Sequence, residues 1–484
     1  MNRIAQRPAR IALSTALAFA LVACGGGGSS SPPPIVDRPG PTPTPTPPTA
    51  TCALSNQIDF AEDVLNEWYV FPSLLDNSID PRNFASVQSY LDARVAPARA
   101  AGRDDGFTFA TSIAEEDALI DSGSTAGFGI RLSFDDTNRR LFLLEAFESG
   151  PGFAAGLDRG SEILAIGINS SNLQTVSALF QQGGREAIID ALGPGDPGVS
   201  RIIRFVQSDG RVIERSITKT EFAIDPVSDR YGATILRRGA RTIGYLNYRT
   251  FLPRTGVEEL RDAFAFFRTQ GVTDLVVDFR YNSGGLVTNA NLLGSLLGRG
   301  LAGEVFSETR FNPAQSNRNQ TVLFEPEANA LRPDRIAFIT TNSSASASEL
   351  VINSLLPYYD DADIALIGEN TSGKPVGQSA FDLSACDLRI RALTFQTFNA
   401  DGFGDYFGGL ADFVPNTCRA RDDISAALGD PNENSISVAL DFIEGRSCTP
   451  IAGSSNQRVQ GTGGRELLRP EQRSAAQHEL PGLF

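Results

Sequence analysis

The sequence nearly lacks side chains that accept a proton close to neutral pH. Among 484 residues there is one histidine, His478, and of the 42 basic residues only Lys219 and Lys374 are lysines. A Ser-His-Asp triad would have to use His478, which lies in a polar segment near the end of the sequence, and histidine-based zinc sites are excluded. No C-x-x-C pair is present to form a thiolate site. A hydrolase with a side-chain base would therefore use a carboxylate or a lysine, because arginine stays protonated.

Runs of basic residues are also missing. The net charge is -15, and the arginines are scattered along the chain. Since nucleic-acid binding depends on clustered positive charge, a nucleic-acid partner is not expected. No metal or cofactor is implied by any residue pattern. The length and the hydrophobic content of 41% suit two or three globular domains.

The first residues have the pattern of an export signal. Three arginines precede an apolar run at residues 11–22, which is too short to span a bilayer comfortably. The sequence Leu-Val-Ala-Cys that ends at Cys24 resembles a bacterial lipobox, in which the cysteine is lipidated. An ordinary signal peptide with an incidental cysteine is the alternative. We predict a lipoprotein signal peptide at 1–23 and an exported protein, anchored in a membrane through Cys24. By resemblance to sorting patterns, Gly25 favours the outer membrane, facing the periplasm or the cell surface.

A low-complexity segment follows the signal. Residues 24–51 are first rich in Gly and Ser and then in Pro and Thr, which favours an extended tether. Beyond it, four cysteines remain in a compartment expected to be oxidising: Cys52, Cys386, Cys418 and Cys448. Their even number suggests two disulfides with three possible connectivities. We favour Cys386–Cys418, which brackets one stretch of chain, and Cys52–Cys448, which ties the domain ends together.

The next two segments differ in periodicity. Residues 52–120 show helical spacing and predict a small N-terminal helical cap. Residues 121–222 are β-rich and resemble a PDZ domain: a loop of Gly127, Phe128, Gly129 and Ile130 precedes a small-residue helix start and a G-S-E-I-L strand. Ser161 stands where that family usually has Asp. In such a loop, glycines let backbone N–H groups converge on a terminal carboxylate, and the adjacent strand edge pairs with the peptide. A β-domain that binds nothing is the alternative.

The remainder alternates strands and helices. Apolar runs at 242–246, 275–279, 336–340 and 364–367 are separated by helical patterns, which predicts an α/β core over residues 223–450. Residues 451–484 are rich in Gly, Gln, Ser and Arg, and we predict a disordered tail.

Three polar segments follow buried strands of this core, where α/β folds place their sites. They are D-F-R-Y-N-S-G-G from Asp278, S-A-S-A-S-E from Ser344, and G-E-N-T-S-G-K-P-V-G-Q from Gly368. A serine at a helix start lies beside free N–H groups that favour an oxyanion. Lys374 is the candidate base, provided that burial lowers its pKa from about 10.4 to roughly 7–8.

Together, the three segments resemble those of the carboxyl-terminal processing (tail-specific) protease family, over roughly residues 55–415. The resemblance implies a crotonase-like core, Ser346 as nucleophile, Lys374 as base and Gln378 as the residue that orients the lysine. It also implies an oxyanion hole of backbone N–H groups from Ala347, Gly284 and Gly285.

The chain departs from the family pattern in two places. Pro375 replaces the usual small residue, and the interval from Ser346 to Lys374 is a few residues longer. A competing S-x-x-K motif at Ser216 and Lys219 lies in a strand-like run without a K-T-G partner, so it does not match penicillin-binding enzymes.

The predicted function is therefore that of a serine endopeptidase with a Ser/Lys dyad. It would cleave exported proteins that have accessible C-termini and are selected through the PDZ-like domain. One alternative is a catalytically inactive, peptide-binding lipoprotein of the same fold. Another is a crotonase-fold enzyme that acts on thioesters.

Overall fold

The computed structural model describes residues 52–452 and 464–484. The predicted signal peptide at 1–23, its Cys24 and the tether at 24–51 lie outside the described residues. Within the described ranges, no helix has both the length and the apolar character needed to cross a bilayer.

The α-helices of the described ranges are, in chain order, α1 (Leu54–Trp68), α2 (Val87–Arg94), α3 (Ala96–Ala100), α4 (Ile113–Ser122), α5 (Pro151–Ala154), α6 (Val176–Leu192), α7 (Gly256–Gln270), α8 (Val287–Leu297), α9 (Ala347–Leu355), α10 (Asn434–Ile443) and α11 (Ala475–Glu479).

The strands are β1 (Phe109–Thr111), β2 (Ser124–Gly127), β3 (Ile130–Asp135), β4 (Arg140–Ala146), β5 (Glu162–Gly167), β6 (Gln174–Thr175), β7 (Ser200–Val206), β8 (Val212–Thr218), β9 (Thr220–Ala223), β10 (Ala233–Arg238), β11 (Arg241–Asn247), β12 (Asp274–Asp278), β13 (Val305–Phe311), β14 (Gln320–Leu323), β15 (Ile336–Thr340), β16 (Ile364–Gly368), β17 (Val376–Leu383), β18 (Leu388–Phe398), β19 (Asn416–Arg419) and β20 (Arg465–Leu467).

The central sheet has the order β10-β11-β12-β15-β16-β19. All neighbours are parallel except β10 and β11. Strands β12, β15 and β16 are buried along their whole length, as their continuous apolar runs predict. Helices α7, α8 and α9 cover one face and α10 the other. The predicted α/β class is confirmed, and the carboxyl ends of β12, β15 and β16 bring the three polar segments to one edge.

A second sheet connects the predicted cap to this core. Its order is β1-β18-β13-β14, with β17 paired to β18. Side chains of α1 and α2 pack against β17 and β18 in one apolar cluster. The segment between α3 and β1 is thereby held against the strand that follows Lys374.

The β-rich region forms a further sheet in the order β20-β3-β4-β5-β7-β8, with β6 beside β5. Helices α5 and α6 pack on it around a separate apolar cluster. Strands β2 and β9 pair with each other where this region joins the rest.

The favoured disulfide pairing is wrong. The structure joins Cys52 to Cys386 and Cys418 to Cys448, each with a Cα–Cα distance of 5.4 Å. Cys386 lies in the turn between β17 and β18, against which the start of α1 packs. Cys448 follows α10 on a segment that runs beside β19, where the Arg419 N–H donates to Thr449 O at 2.7 Å.

The prediction of a disordered tail at 451–484 is wrong for the described residues 464–484. They form β20 and α11. Their few apolar side chains, including Leu468, Leu480 and Phe484, are buried against the β-rich region and its junction with the core. The composition of the segment does not predict this order, because its few apolar side chains are buried by residues that are distant in the sequence.

Candidate active site

Direct hydrogen bonds hold the three polar segments together. Ser344 Oγ donates to Phe279 O at 2.7 Å, and Ser348 Oγ donates to Asn282 O at 3.0 Å. The Ser372 N–H from the third segment donates to Ser344 O at 2.9 Å. The site is therefore one unit assembled from the ends of three parallel strands.

Of the three serines in S-A-S-A-S, Ser346 is the one suited to attack a substrate. Ser344 and Ser348 are fully buried and their hydroxyls are committed to carbonyl oxygens. Ser346 is half-buried and precedes the first residue of α9. Its φ of 53° is unusual for a residue with a side chain, and such outliers concentrate at functional sites.

Glu349 connects the serine to the lysine. Its Oε2 accepts the Ser346 N–H at 2.9 Å and the Lys374 N–H at 2.8 Å, and its Oε1 accepts the Gly373 N–H at 2.7 Å. Complete burial raises the pKa of Glu349, and the hydrogen bonds it accepts oppose that shift. This role was not predicted from the sequence. The signal was present, since a glutamate three residues after a helix-start serine can reach the serine N–H.

Lys374 has the surroundings expected of a lysine base. Nζ donates to Gln378 Oε1 at 2.8 Å and lies 4.7 Å from the centre of the Phe107 ring. Burial lowers the pKa of Lys374, although the negative charges of Glu479, Asp104 and Glu349 oppose the shift. In the described chain, no hydrogen bond joins Ser346 Oγ to Lys374 Nζ; such catalytic contacts often tighten only when substrate binds.

The predicted cap contributes a wall of the site that no sequence motif indicated. Gln378 Nε2 donates to Phe107 O, which fixes the amide so that its oxygen faces Lys374. Asp104 in turn accepts the Phe107 N–H at 2.8 Å and the Tyr69 hydroxyl at 2.9 Å. Phe107 could not be found from local patterns, because it enters the site only through the packing of the cap on β17 and β18.

The glycine pair lies directly behind Ser346. Gly284 has a φ of +112°, and a Cβ there would come within 2.8 Å of Ser346 Cβ and 3.0 Å of Ala347 N. The Gly284 N–H donates to Asn282 Oδ1 at 2.9 Å and is thus already engaged. The Ala347 N–H, at the first position of α9, has no acceptor within its own helix. Among the predicted oxyanion donors, this conformation favours Ala347 over Gly284.

A cleft that Lys374 lines, beside these groups, encloses about 1110 Å³. Phe107, Ala345, Lys374 and Gln378 line it, together with Glu479 from the end of the chain. Its size is sufficient for several peptide residues.

The predicted carboxylate loop also has a defined environment. The Phe128 and Ile130 N–H groups both donate to the Phe484 backbone oxygen, at 3.0 and 3.2 Å. The second lysine, Lys219, serves structure: Nζ donates to the carbonyls of Gly193 and Pro194, each at 2.7 Å. Ser216 lies within β8, so the S-x-x-K motif is not on a helix.

Part of the chain is similar in sequence to known peptidases. Residues 242–404 match the model of peptidase family S41. The chain is 26% identical over 291 residues to the chloroplastic C-terminal processing peptidase of Tetradesmus obliquus, covering 57% of each chain. It is 24% identical to the carboxyl-terminal-processing protease of Synechocystis, covering 54% of this chain and 56% of the relative. The chain thus spans a little over half the length of these curated relatives.

A solved structure supports the fold. The crystal structure of a Bacteroides fragilis protein described as an S41 protease superposes with a TM-score of 0.62 at 22% identity. The match covers 80% of this chain and 97% of the other. At this identity, the likeness establishes a shared fold.

Proposed function

We propose that the chain, whose residues 242–404 match the model of peptidase family S41, is a serine endopeptidase of the carboxyl-terminal processing type. Ser346 is the nucleophile and Lys374 the general base. One observation carries the proposal: Glu349 accepts the backbone N–H groups of both residues through the same oxygen. The partly exposed serine of the S-A-S-A-S motif is thereby linked to a half-buried lysine whose amine lies 4.7 Å from the centre of the Phe107 ring.

The reaction follows from these positions. Neutral Lys374 takes the proton from Ser346 Oγ as the oxygen attacks the peptide carbonyl. The negative charge on the carbonyl oxygen is stabilised by backbone N–H groups, of which Ala347 is the best placed. The lysine then gives its proton to the departing amine, which leaves an acyl-enzyme that water hydrolyses. Gln378 acts as a positioning residue, because it holds the lysine amine through its fixed amide.

We further propose that residues 121–222 are a PDZ-like domain, that the core is crotonase-like, and that substrates are exported proteins with accessible C-termini. The edge of β3, along which residues 465–467 and 482–484 of the chain itself lie, and the converging N–H groups of Phe128 and Ile130 support a peptide-binding role. The parallel order of β11, β12, β15 and β16, with helices on both faces, supports the core assignment.

For localisation, we propose export and lipid anchoring through Cys24, in the outer membrane. Two disulfides, Cys52–Cys386 and Cys418–Cys448, support an oxidising compartment. Incorporation of labelled fatty acid into the full chain, compared with Cys24→Ser, tests the anchor. Equal labelling of both chains would exclude it.

A serine-reactive fluorophosphonate probe tests the catalytic proposal. We expect the probe to modify the peptide that contains Ser346. Ser346→Ala should abolish labelling, whereas Ser216→Ala, which changes a serine in a strand away from the site, should leave it unchanged. Labelling that persists in Ser346→Ala would refute the nucleophile. A failure of the folded protein to react at all would favour a catalytically inactive peptide-binding protein.

A further inference from the structure

The end of the chain returns to the β-rich region and extends its sheet. Strand β20 pairs with the second half of β3, with Leu467 opposite Ser133, and the Leu468 N–H donates to Leu132 O at 3.0 Å. Residues 482–484 then occupy the first half of the same edge. The Leu132 N–H donates to Gly482 O at 2.8 Å, and the Phe484 N–H donates to Ile130 O at 2.9 Å. The edge that a peptide ligand would use is therefore filled by this chain itself.

Phe484 fits the predicted carboxylate loop as a ligand would. Its backbone oxygen accepts the N–H groups of Phe128 and Ile130. Its side chain is 6% exposed and packs into the apolar cluster of the β-rich region. A side chain at Gly127 would meet the Phe484 carbonyl carbon at 2.8 Å, so the loop closes tightly on this residue. These are the contacts of strand addition at a sheet edge, with a pocket for the last side chain.

Between β20 and residues 482–484, the same segment passes along the cleft that Lys374 lines. The His478 ring stacks on Phe109, with 3.7 Å between ring centres and 3° between planes. Ser283 Oγ, next to the glycine pair, donates to Glu479 O. Glu479 lines the cleft together with Lys374, and Leu480 is buried beyond it. Peptide substrate and this segment would occupy the same space.

When Glu479 is ionised, its negative charge opposes the chemistry that Lys374 must perform, although burial raises the pKa of Glu479 itself. Burial lowers the pKa of Lys374, and Glu479 is the charged group that raises this pKa most. A carboxylate here favours the protonated amine, which cannot take a proton from Ser346. Displacement of the segment removes this charge from the cleft and also frees the space beside Ser283 and Lys374.

We propose that residues 465–484 are an intramolecular ligand of this peptidase, which fills its peptide groove and catalytic cleft until a protein with a large apolar C-terminal residue displaces it. That the segment inhibits cleavage rests on the proposed function. That the segment fills the peptide groove does not depend on the proposed function. The competing ligand class follows from the Phe484 pocket: chains that end in phenylalanine or a similarly large apolar residue.

The test measures groove occupancy without catalysis. A fluorescent peptide with the sequence of residues 477–484 is titrated into Ser346→Ala proteins: the full chain, the chain ended after residue 463, and the full chain with Phe484→Asp. If the segment fills the groove in about 90% of molecules, the peptide binds the full chain about tenfold more weakly than the two altered chains. Glu471→Gln, at an exposed position of the same segment, should bind like the full chain.

Several outcomes separate the two proposals. Equal peptide affinity of the full chain, the shortened chain and Phe484→Asp would overturn the intramolecular ligand. Because the shortened chain could fail to fold, Phe484→Asp in the intact chain decides in that case. With Ser346 restored, both altered chains should cleave an unfolded protein faster than the full chain. A retained affinity difference without cleavage in any chain would refute the peptidase proposal and leave the intramolecular ligand supported.

Discussion

Replacing Glu349 by glutamine removes one carboxylate oxygen while keeping the shape of the side chain. The carboxylate accepts three backbone hydrogen bonds, at 2.9, 2.7 and 2.8 Å. The glutamine keeps two of them if its amide oxygen takes the position of Oε2, and one if it takes the position of Oε1. The amide nitrogen also faces N–H donors and cannot accept from them. The ordering of the Ser346 and Lys374 backbones therefore weakens without any change in the reacting groups themselves.

The size of the effect follows from the hydrogen bonds that the substitution removes. A hydrogen bond to a charged group contributes about 1.5–3 kcal/mol, and a buried donor left unpaired costs about 1–3 kcal/mol. We expect the free energy of unfolding to fall by about 2–4 kcal/mol. If about 1.4–2.8 kcal/mol of transition-state stabilisation is also removed, kcat falls about 10- to 100-fold. KM should change little, because Glu349 is fully buried and has no surface to offer substrate.

Steady-state cleavage of an unfolded protein, together with urea unfolding, measures both quantities. Glu258→Gln is the matched control, since Glu258 is also a first-turn glutamate but is exposed and pairs with Arg261 at 3.1 Å. It should leave kcat and stability nearly unchanged. A folded Glu349→Gln protein with unchanged kcat would refute the idea that this residue couples the nucleophile to the base.

Three further predictions concern the base and the disulfides. Activity should rise with pH through the pKa of Lys374, at a value below 10.5 because burial lowers that pKa, and Lys374→Met should abolish both activity and this pH dependence. Lys219→Met is the control, since it should reduce stability but keep kcat; an equal loss of kcat in both would contradict the assignment of the base. Gln378→Leu should lower kcat about tenfold and change the pH profile, since the amine loses the acceptor that holds it; an unchanged profile would argue against its positioning role. Replacing Cys418 and Cys448 by serine should lower the free energy of unfolding by about 2–4 kcal/mol in a urea titration, with no measurable loss counting against a structural disulfide.

The sequence was sufficient to predict that the segments containing Ser346 and Lys374 meet at one edge of the central sheet. The runs at 336–340 and 364–367 are apolar at every or nearly every position, which identifies buried parallel strands, and such strands must end at one edge of their sheet. The segments that begin at Ser344 and Gly368 follow these strands directly. Their meeting in space therefore depends only on strand order and direction, which local patterns and family resemblance both indicate.

Contacts that depend on distant packing were not predictable in the same way. The disulfide of Cys52 depends on the turn between β17 and β18 lying beside the start of α1, a relation between residues 334 positions apart. Phe107 enters the site only because the cap packs on β17 and β18. Residues 464–484 are ordered because they pack against a groove formed by residues 127–132. The polar composition of the segment alone predicted disorder, because composition does not reveal this groove.

The most direct test of the account is cleavage of an unfolded protein that ends in phenylalanine, by the full chain and by its Phe484→Asp variant. Ser346→Ala and Lys374→Met are introduced into each. We predict cleavage by both parent chains, faster with Phe484→Asp, and none when either Ser346 or Lys374 is replaced. Cleavage that continues in folded Ser346→Ala or Lys374→Met protein would contradict the Ser/Lys mechanism.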